Sequence, residues 1–156
     1  MVRVKWVAVL GVIGILAVAA LLPAAEARAF RGELTAPSGG APFGGDVVGE
    51  YRISVRGSQV AISAWVDLDP PSGYVFEGWL VDSPTGYKLS LGALAGEGDD
   101  DDDDDDESRM VLQFRQRMVN VYTYAMLVIT IEPTRDLNPD PAMPVAGALL
   151  RAPFGQ

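Results

Sequence analysis

Between Val47 and Val66 the chain alternates apolar and polar residues with a period of two, broken once by Gly57-Ser58. Tyr51, Ile53 and Val55 alternate with Arg52, Ser54 and Arg56, and beyond the turn Val60, Ile62, Ala64 and Val66 form a second apolar face. A strand gathers such residues on one side, whereas a helix of 3.6 residues per turn scatters them. The pattern recurs. Tyr74 to Val81 is apolar on both faces apart from Glu77, as a central strand requires, and Tyr87, Leu89, Leu91 and Ala93 face one way. Met110, Leu112 and Phe114 alternate with polar neighbours, Val121 to Ile131 is the longest β-rich run, and a last strand covers about 145–151. Asp69-Pro70-Pro71-Ser72-Gly73 and Ser83-Pro84-Thr85-Gly86 punctuate the series as turns, because proline cannot continue a ladder. Seven short strands with regular turn signals predict an all-β domain over 47–151, of the sandwich type. Periodicity alone does not choose an immunoglobulin-like topology over a compact barrel.

Residues 1–29 read as an export segment. Arg3 and Lys5 precede seventeen uncharged residues from Trp6 to Leu22, Pro23 ends the apolar stretch, and Ala25-Glu26-Ala27 and Ala27-Arg28-Ala29 both offer small-x-small cleavage sites. Cleavage after Ala29 is expected, with Ala27 as the second choice. As an uncleaved anchor the apolar run would span roughly 26 Å, close to the lower limit for a bilayer. Either way the rest of the chain is expected outside the cytoplasm, secreted or at the cell surface, with membrane contact only through a retained 6–22 segment. Residues 30–46, with Pro37-Ser38-Gly39-Gly40 and Phe43-Gly44-Gly45, read as a Gly/Pro-rich linker arm.

Composition narrows the chemistry. With no Cys and no His, disulfides, thiol and imidazole catalysis and the usual zinc and haem sites are excluded. Removing residues 1–29 takes the net charge from -9 to -11, since that segment carries Arg3, Lys5 and Arg28 against Glu26. Such a balance argues against nucleic-acid partners, which need a basic surface.

Four segments occur in order: Tyr74-Val75-Phe76-Glu77-Gly78-Trp79-Leu80-Val81, Leu89-Ser90-Leu91-Gly92, Val128-Ile129-Thr130-Ile131-Glu132-Pro133 and Pro144-Val145-Ala146-Gly147. Together they resemble the extracytoplasmic C-terminal domain of anti-sigma-K factors and related exported archaeal and bacterial proteins. The resemblance, covering roughly 47–150, implies an immunoglobulin-like β-sandwich. It implies structural positions for Trp79 as a core anchor, for Gly92 closing its strand, and for Glu132 and Pro133 ending a late strand. Glu77 and Glu132 read alternatively as a carboxylate pair. Family members that grip a sigma factor do so through a cytoplasmic helical domain. Only Met1 to Lys5 precede the apolar run here, so direct sigma-factor binding is not expected.

One further feature stands apart. Glu97-Gly98 leads into Asp99, Asp100, Asp101, Asp102, Asp103, Asp104, Asp105, Asp106 and then Glu107, ten carboxylates in eleven residues. Mutual repulsion and poor strand propensity predict a solvated loop, 97–107, between two strands. The run could also supply oxygen ligands for weak calcium binding, although it lacks the spaced ligands and shaping glycine of an EF-hand. Asp67, Asp69 and Asp82 are further candidate contributors. No other cofactor is expected, nor an enzyme, because no nucleophile elbow or phosphate-cradling glycine loop is present. The leading expectation is a non-catalytic surface module working through contacts with an envelope partner or with itself. One version donates the 30–45 arm to a neighbour as an added strand. The alternative is an extracytoplasmic sensing domain.

Overall fold

A computed structural model describes residues 26–39, 41, 43–96, 109–135 and 140–156. Most of the expected export segment and the whole aspartate run lie outside the described residues. The rest is all-β: β1 (Ala27–Thr35), β2 (Val47–Arg56), β3 (Gln59–Val66), β4 (Tyr74–Val81), β5 (Lys88–Ala93), β6 (Ala95–Gly96), β7 (Met110–Arg117), β8 (Met126–Pro133) and β9 (Met143–Leu149). All ladders are antiparallel, and the strands form one sheet in the order β5-β4-β8-β9-β1-β2-β3-β7-β6.

The sheet nearly closes on itself. Its two ends, β5 and β6, are consecutive in the chain and separated only by Leu94. The Leu94 amide still donates to the Phe76 carbonyl on the β4 side at 2.8 Å, while Ala95 and Gly96 already pair with Val111 and Met110 of β7. One bent segment therefore carries the chain from one end of the sheet to the other.

The period-two runs fold as their alternation dictates. Tyr51, Ile53 and Val55 of β2 and Val60, Ile62, Ala64 and Val66 of β3 are all buried. Gly57, at φ 58°, occupies the first of the two turn positions between them, where a tight hairpin favours glycine. Leu34, Leu80, Leu112, Leu127 and Ile129 complete the interior. At Gly78 a Cβ would lie 2.7 Å from Leu112, so glycine there lets β4 approach the opposite wall. One mouth is closed by Phe30, Tyr122 and Phe154, with Phe30 and Phe154 edge to face at 4.8 Å.

Three sequence-based expectations are corrected. Among the described residues nine strands replace about seven: the seven expected ones are present, joined by β1 and the two-residue β6. Residues 30–35 of the presumed linker arm are strand, paired with β2 from Ala27↔Arg56 to Thr35↔Val47. Phe30, Gly32 and Leu34 keep the period of two, but glycine at its centre blanks the apolar signal. Only about 36–46 crosses as a loop, folded back by Ala36 N–H to Asp46 O and Gly45 N–H to Ala36 O, both 2.9 Å. Finally, Val121–Ile131 is not one strand. Val121–Thr123 makes a 3-10 turn and β8 starts at Met126. The Ala125 amide pairs with the Val81 carbonyl at 2.8 Å as the chain enters the sheet.

Candidate functional site

The residues singled out in the sequence fall into two groups. Trp79 is buried, yet it lies outside the main interior cluster. Alternation puts Phe76, Gly78 and Leu80 inward, so Trp79 faces outward from β4, opposite Val128 of β8. Its Nε1–H donates to Thr130 Oγ1 at 2.9 Å; Thr130 Oγ1–H donates to Glu132 Oε1, which also accepts the Ala142 amide at 2.8 Å. Glu132 is thus a buried carboxylate held by a hydroxyl and a backbone amide from the segment before β9. Buried acceptors with donors of this kind lock a loop over a sheet. Pro133 ends β8 opposite Tyr74. Gly92, at φ 97°, sits at the irregularity where Gly78 pairs with Gly92 but Trp79 pairs with Ser90. The extra residue re-phases the chain, so Leu91 and Leu94 are buried and Ala93 is exposed.

The other carboxylates named above have partners of their own. Glu77 accepts from Ser90 Oγ on the exposed side of β5. Asp67 pairs with Arg109 at 3.5 Å, and Asp82 accepts from Thr85 Oγ1 at 2.7 Å. Among the described residues no three His, Cys, Asp or Glu side chains converge as a metal site. The candidate calcium ligands Asp99 to Glu107 lie outside the described residues.

Among the described residues a large concavity occurs between β1 and β9, where none of the sequence-based expectations fell. The ladder joins β1 to β9 at a single register pair, Thr35↔Gly147. From there the strands diverge. Beyond β9 the Leu150 amide donates to the Ala125 carbonyl at 2.8 Å and the Gly155 amide to the Tyr122 carbonyl at 2.7 Å. The C-terminal residues are thereby tied to the 122–125 segment before β8 instead of to β1. The gap is an open groove of about 830 Å³. Phe30, Tyr51 and Phe154 supply its aromatic surface, Phe43 stands at the closed end, and Arg31 and Arg151 bring charge.

Local sequence shapes this groove. At Gly32 a Cβ would lie 2.8 Å from the Tyr51 ring, so the missing side chain lets that ring lie across β1. Gly147 accommodates Phe43 in the same way, with a hypothetical Cβ only 2.3 Å from the Phe43 ring and 2.7 Å from the Leu127 carbonyl oxygen. Thr35 Oγ1 accepts the Gly44 amide at 2.9 Å, holding the loop that carries Phe43. Burial raises the Tyr51 pKa above 10.0, and the Arg151 charge opposes that rise. Tyr124 is also raised, by burial first and then by Tyr87 and Asp82. An unpaired backbone edge above an aromatic floor can take an extended chain, through main-chain hydrogen bonds along β1 and side chains lodged on the floor. The sequence matches no family model, and neither a curated protein nor a solved structure shows significant similarity to it.

Proposed function

We propose that the chain is a non-catalytic β module, exported from the cytoplasm, that works at the cell surface by binding protein segments. The observation that carries this reading is the β1/β9 seam: from Ala27 to Leu34 the ladder pairs β1 with β2 alone, and its free edge borders an aromatic groove. Closed sheets satisfy their edges, and a free edge beside a groove is the arrangement that strand addition uses. The arm expected to be donated to a neighbour belongs to the sheet as β1, so in this reading the module accepts a strand.

An immunoglobulin-like sandwich is the finer architectural reading, and strand order supports it. β2-β3-β7-β6 follows the A-B-E-D order of that fold and β5-β4-β8-β9 follows C′-C-F-G, with β1 an added strand bridging to β9. Export is supported by the charge and apolar pattern of 1–29. Cleavage after Ala29 would shorten β1 by three residues and leave Phe30 as the first residue, in its aromatic cluster. A second reading, a sensing domain akin to the exterior half of anti-sigma-K factors, is favoured by the size of the same groove, which falls in the range of small-ligand pockets.

Selection of displayed extended decapeptides against the purified protein tests the proposal. Bound peptides should protect backbone amides of 31–34 from hydrogen exchange and leave β3 and β8 unchanged. Peptides that protect other elements, or a selection that yields none, would overturn it. A strictly monomeric protein whose melting temperature rises only with a small molecule would favour sensing. N-terminal sequencing of the native protein from cell fractions tests the address.

A further inference from the structure

The outward positions of β1, β2, β3 and β7 carry a second arrangement, which borders the seam at Arg31 and extends away from it across β2, β3 and β7. Arg31, Arg52, Arg56, Arg115 and Arg117 all stand on this solvent face, and all are exposed. The ladders set them side by side. Arg31 is directly opposite Arg52, Arg115 is opposite Ala61, and Gln59 lies between Arg56 and Arg117. Ser54, Ala61 and Ser63 are too short to fill the space between guanidinium groups, and the face contains three hollows of about 400, 380 and 280 Å³. The strands of this face contribute only two outward carboxylates, Glu33 and Glu50, which pair with each other in one row at its end. Among the described residues the ion pairs are Lys88–Asp140 and Arg109–Asp67, so none of the five arginines has a carboxylate partner there.

Five of twelve basic residues thus share one face of a chain with net charge -9. Like charges directly opposite one another, such as Arg31 and Arg52, work against the sheet. An anionic partner reverses that penalty, and guanidinium forks suit carboxylates in particular.

We infer that this face docks the aspartate run, Asp99 to Asp106, of a second copy of the chain. Charge complementarity selects this occupant, because the run's eight aspartates, with Glu97 and Glu107 beside them, make ten carboxylates within 97–107 and no base among them. Chain geometry favours a neighbour over the molecule's own run. Thirteen residues join Gly96 to Met110, and with both ends anchored their midpoint reaches about 24 Å at full extension. Arg115 and Arg117 lie five and seven residues along β7 from Met110, roughly 17 and 23 Å away. A copy's own run can bring only its tip to those residues, whereas a neighbour's run can lie across all three hollows. The contact joins two different surfaces, so it is heterologous and repeats from copy to copy. It rests on the contact-module reading and deepens it by naming one partner, at a face whose Arg52 and Arg115 lie outside the seam groove.

Analytical ultracentrifugation of the full chain, as exported from the expressing cell, tests this at rising concentration. Association should be present at about 50 mM salt and at least tenfold weaker at about 500 mM, because exposed charge pairs are screened. The double variant Arg52→Glu/Arg115→Glu and a deletion of 99–106 should each be monomeric, with circular-dichroism spectra like that of the parent. Mixed, they should form a one-to-one complex that grows no further, since the first keeps an intact aspartate run and the second an intact arginine face. Synthetic polyaspartate should compete with association of the parent. A parent monomeric throughout overturns the inference, as does a mixture that stays monomeric. So does a monomeric parent whose melting temperature falls in both variants, which would indicate docking within one molecule. Salt-insensitive association that survives both changes would place self-contact at the seam, removing this inference and leaving the proposed function standing.

Discussion

β2 has a different kind of neighbour from the one β1 has on its far side. β2 and β3 pair over eight consecutive positions, from Gly49↔Val66 to Arg56↔Gln59. β1 and β9 meet only at Thr35↔Gly147. In the first case a two-residue turn sets the register and each inward side chain finds the core. In the second, no turn connects the strands, and the amides after β9 donate to the carbonyls of Tyr122 and Ala125 ahead of β8. The same backbone chemistry is satisfied internally on one flank and left open on the other. The difference separates what holds the fold from what is available to a partner.

The largest expected effect comes from breaking the paired flank. Ile62 is fully buried at the middle of the β2–β3 ladder, opposite Ile53. Ile62→Ala should cost about 3 kcal/mol, from lost burial and the cavity left behind. Urea unfolding should show the loss as a lower midpoint with an unchanged slope. Peptide binding at the seam should persist wherever the protein remains folded.

Breaking the seam's one lock should cost less and change more of the function. Gly147→Ala forces a methyl group against the Phe43 ring and the Leu127 carbonyl, and because the second is backbone the strand must shift. About 2 kcal/mol is expected, as for overpacking. Hydrogen exchange should speed up at Thr35 and along 43–45, while β2 and β3 amides keep their protection. Equal loosening of both flanks would show that seam and ladder are one cooperative unit.

Most of the paired flank is legible in the sequence, whereas the seam is not. Alternation of Tyr51, Ile53 and Val55 with arginine and serine is a local signal, and it specifies both the strand and its inward face. The strand at β1 is masked because Gly32, which makes room for Tyr51, removes the central apolar residue of its pattern. The break before β8 is hidden for the opposite reason: Val121 and Tyr122 look like strand residues but pack at one mouth of the nearly closed sheet. Gly92 shifts the phase of β5, so Leu94 replaces Ala93 as the inward residue. The groove depends on the absence of pairing between Phe30–Leu34 and the residues after Gly147, more than a hundred positions away. Nothing local encodes a missing pair. Trp79, Thr130 and Glu132 are visible as residues, but their linkage requires the β4–β8 register.

That linkage gives a smaller test on a well-paired part of the sheet. Thr130→Val keeps the shape and removes the hydroxyl that accepts from Trp79 and donates to Glu132. About 1.5 kcal/mol should be lost, because a buried indole N–H and a buried carboxylate each lose a partner. Tryptophan fluorescence should report the altered environment. The seam's peptide affinity should stay the same, since this cluster lies on the outer face of β4 and β8.

The smallest effect reports how dry the groove is. Burial raises the Tyr51 pKa in the folded protein above the 10.0 of an exposed tyrosine. Its neutral form is therefore favoured by folding. The associated stability is fully present below pH 10 and is lost as pH rises through the folded value, because the unfolded chain releases its proton first. Tyr51→Phe should flatten that alkaline loss, and Tyr124, raised for the same main reason, should account for part of what persists. A strand bound in the seam would exclude more water from Tyr51 and steepen the parent's decline, with little change in the Tyr51→Phe variant. If the bound and free parent proteins lose stability in parallel above pH 10, the occupant does not cover Tyr51. The free edge of β1 would then be recognised without the aromatic floor beneath it.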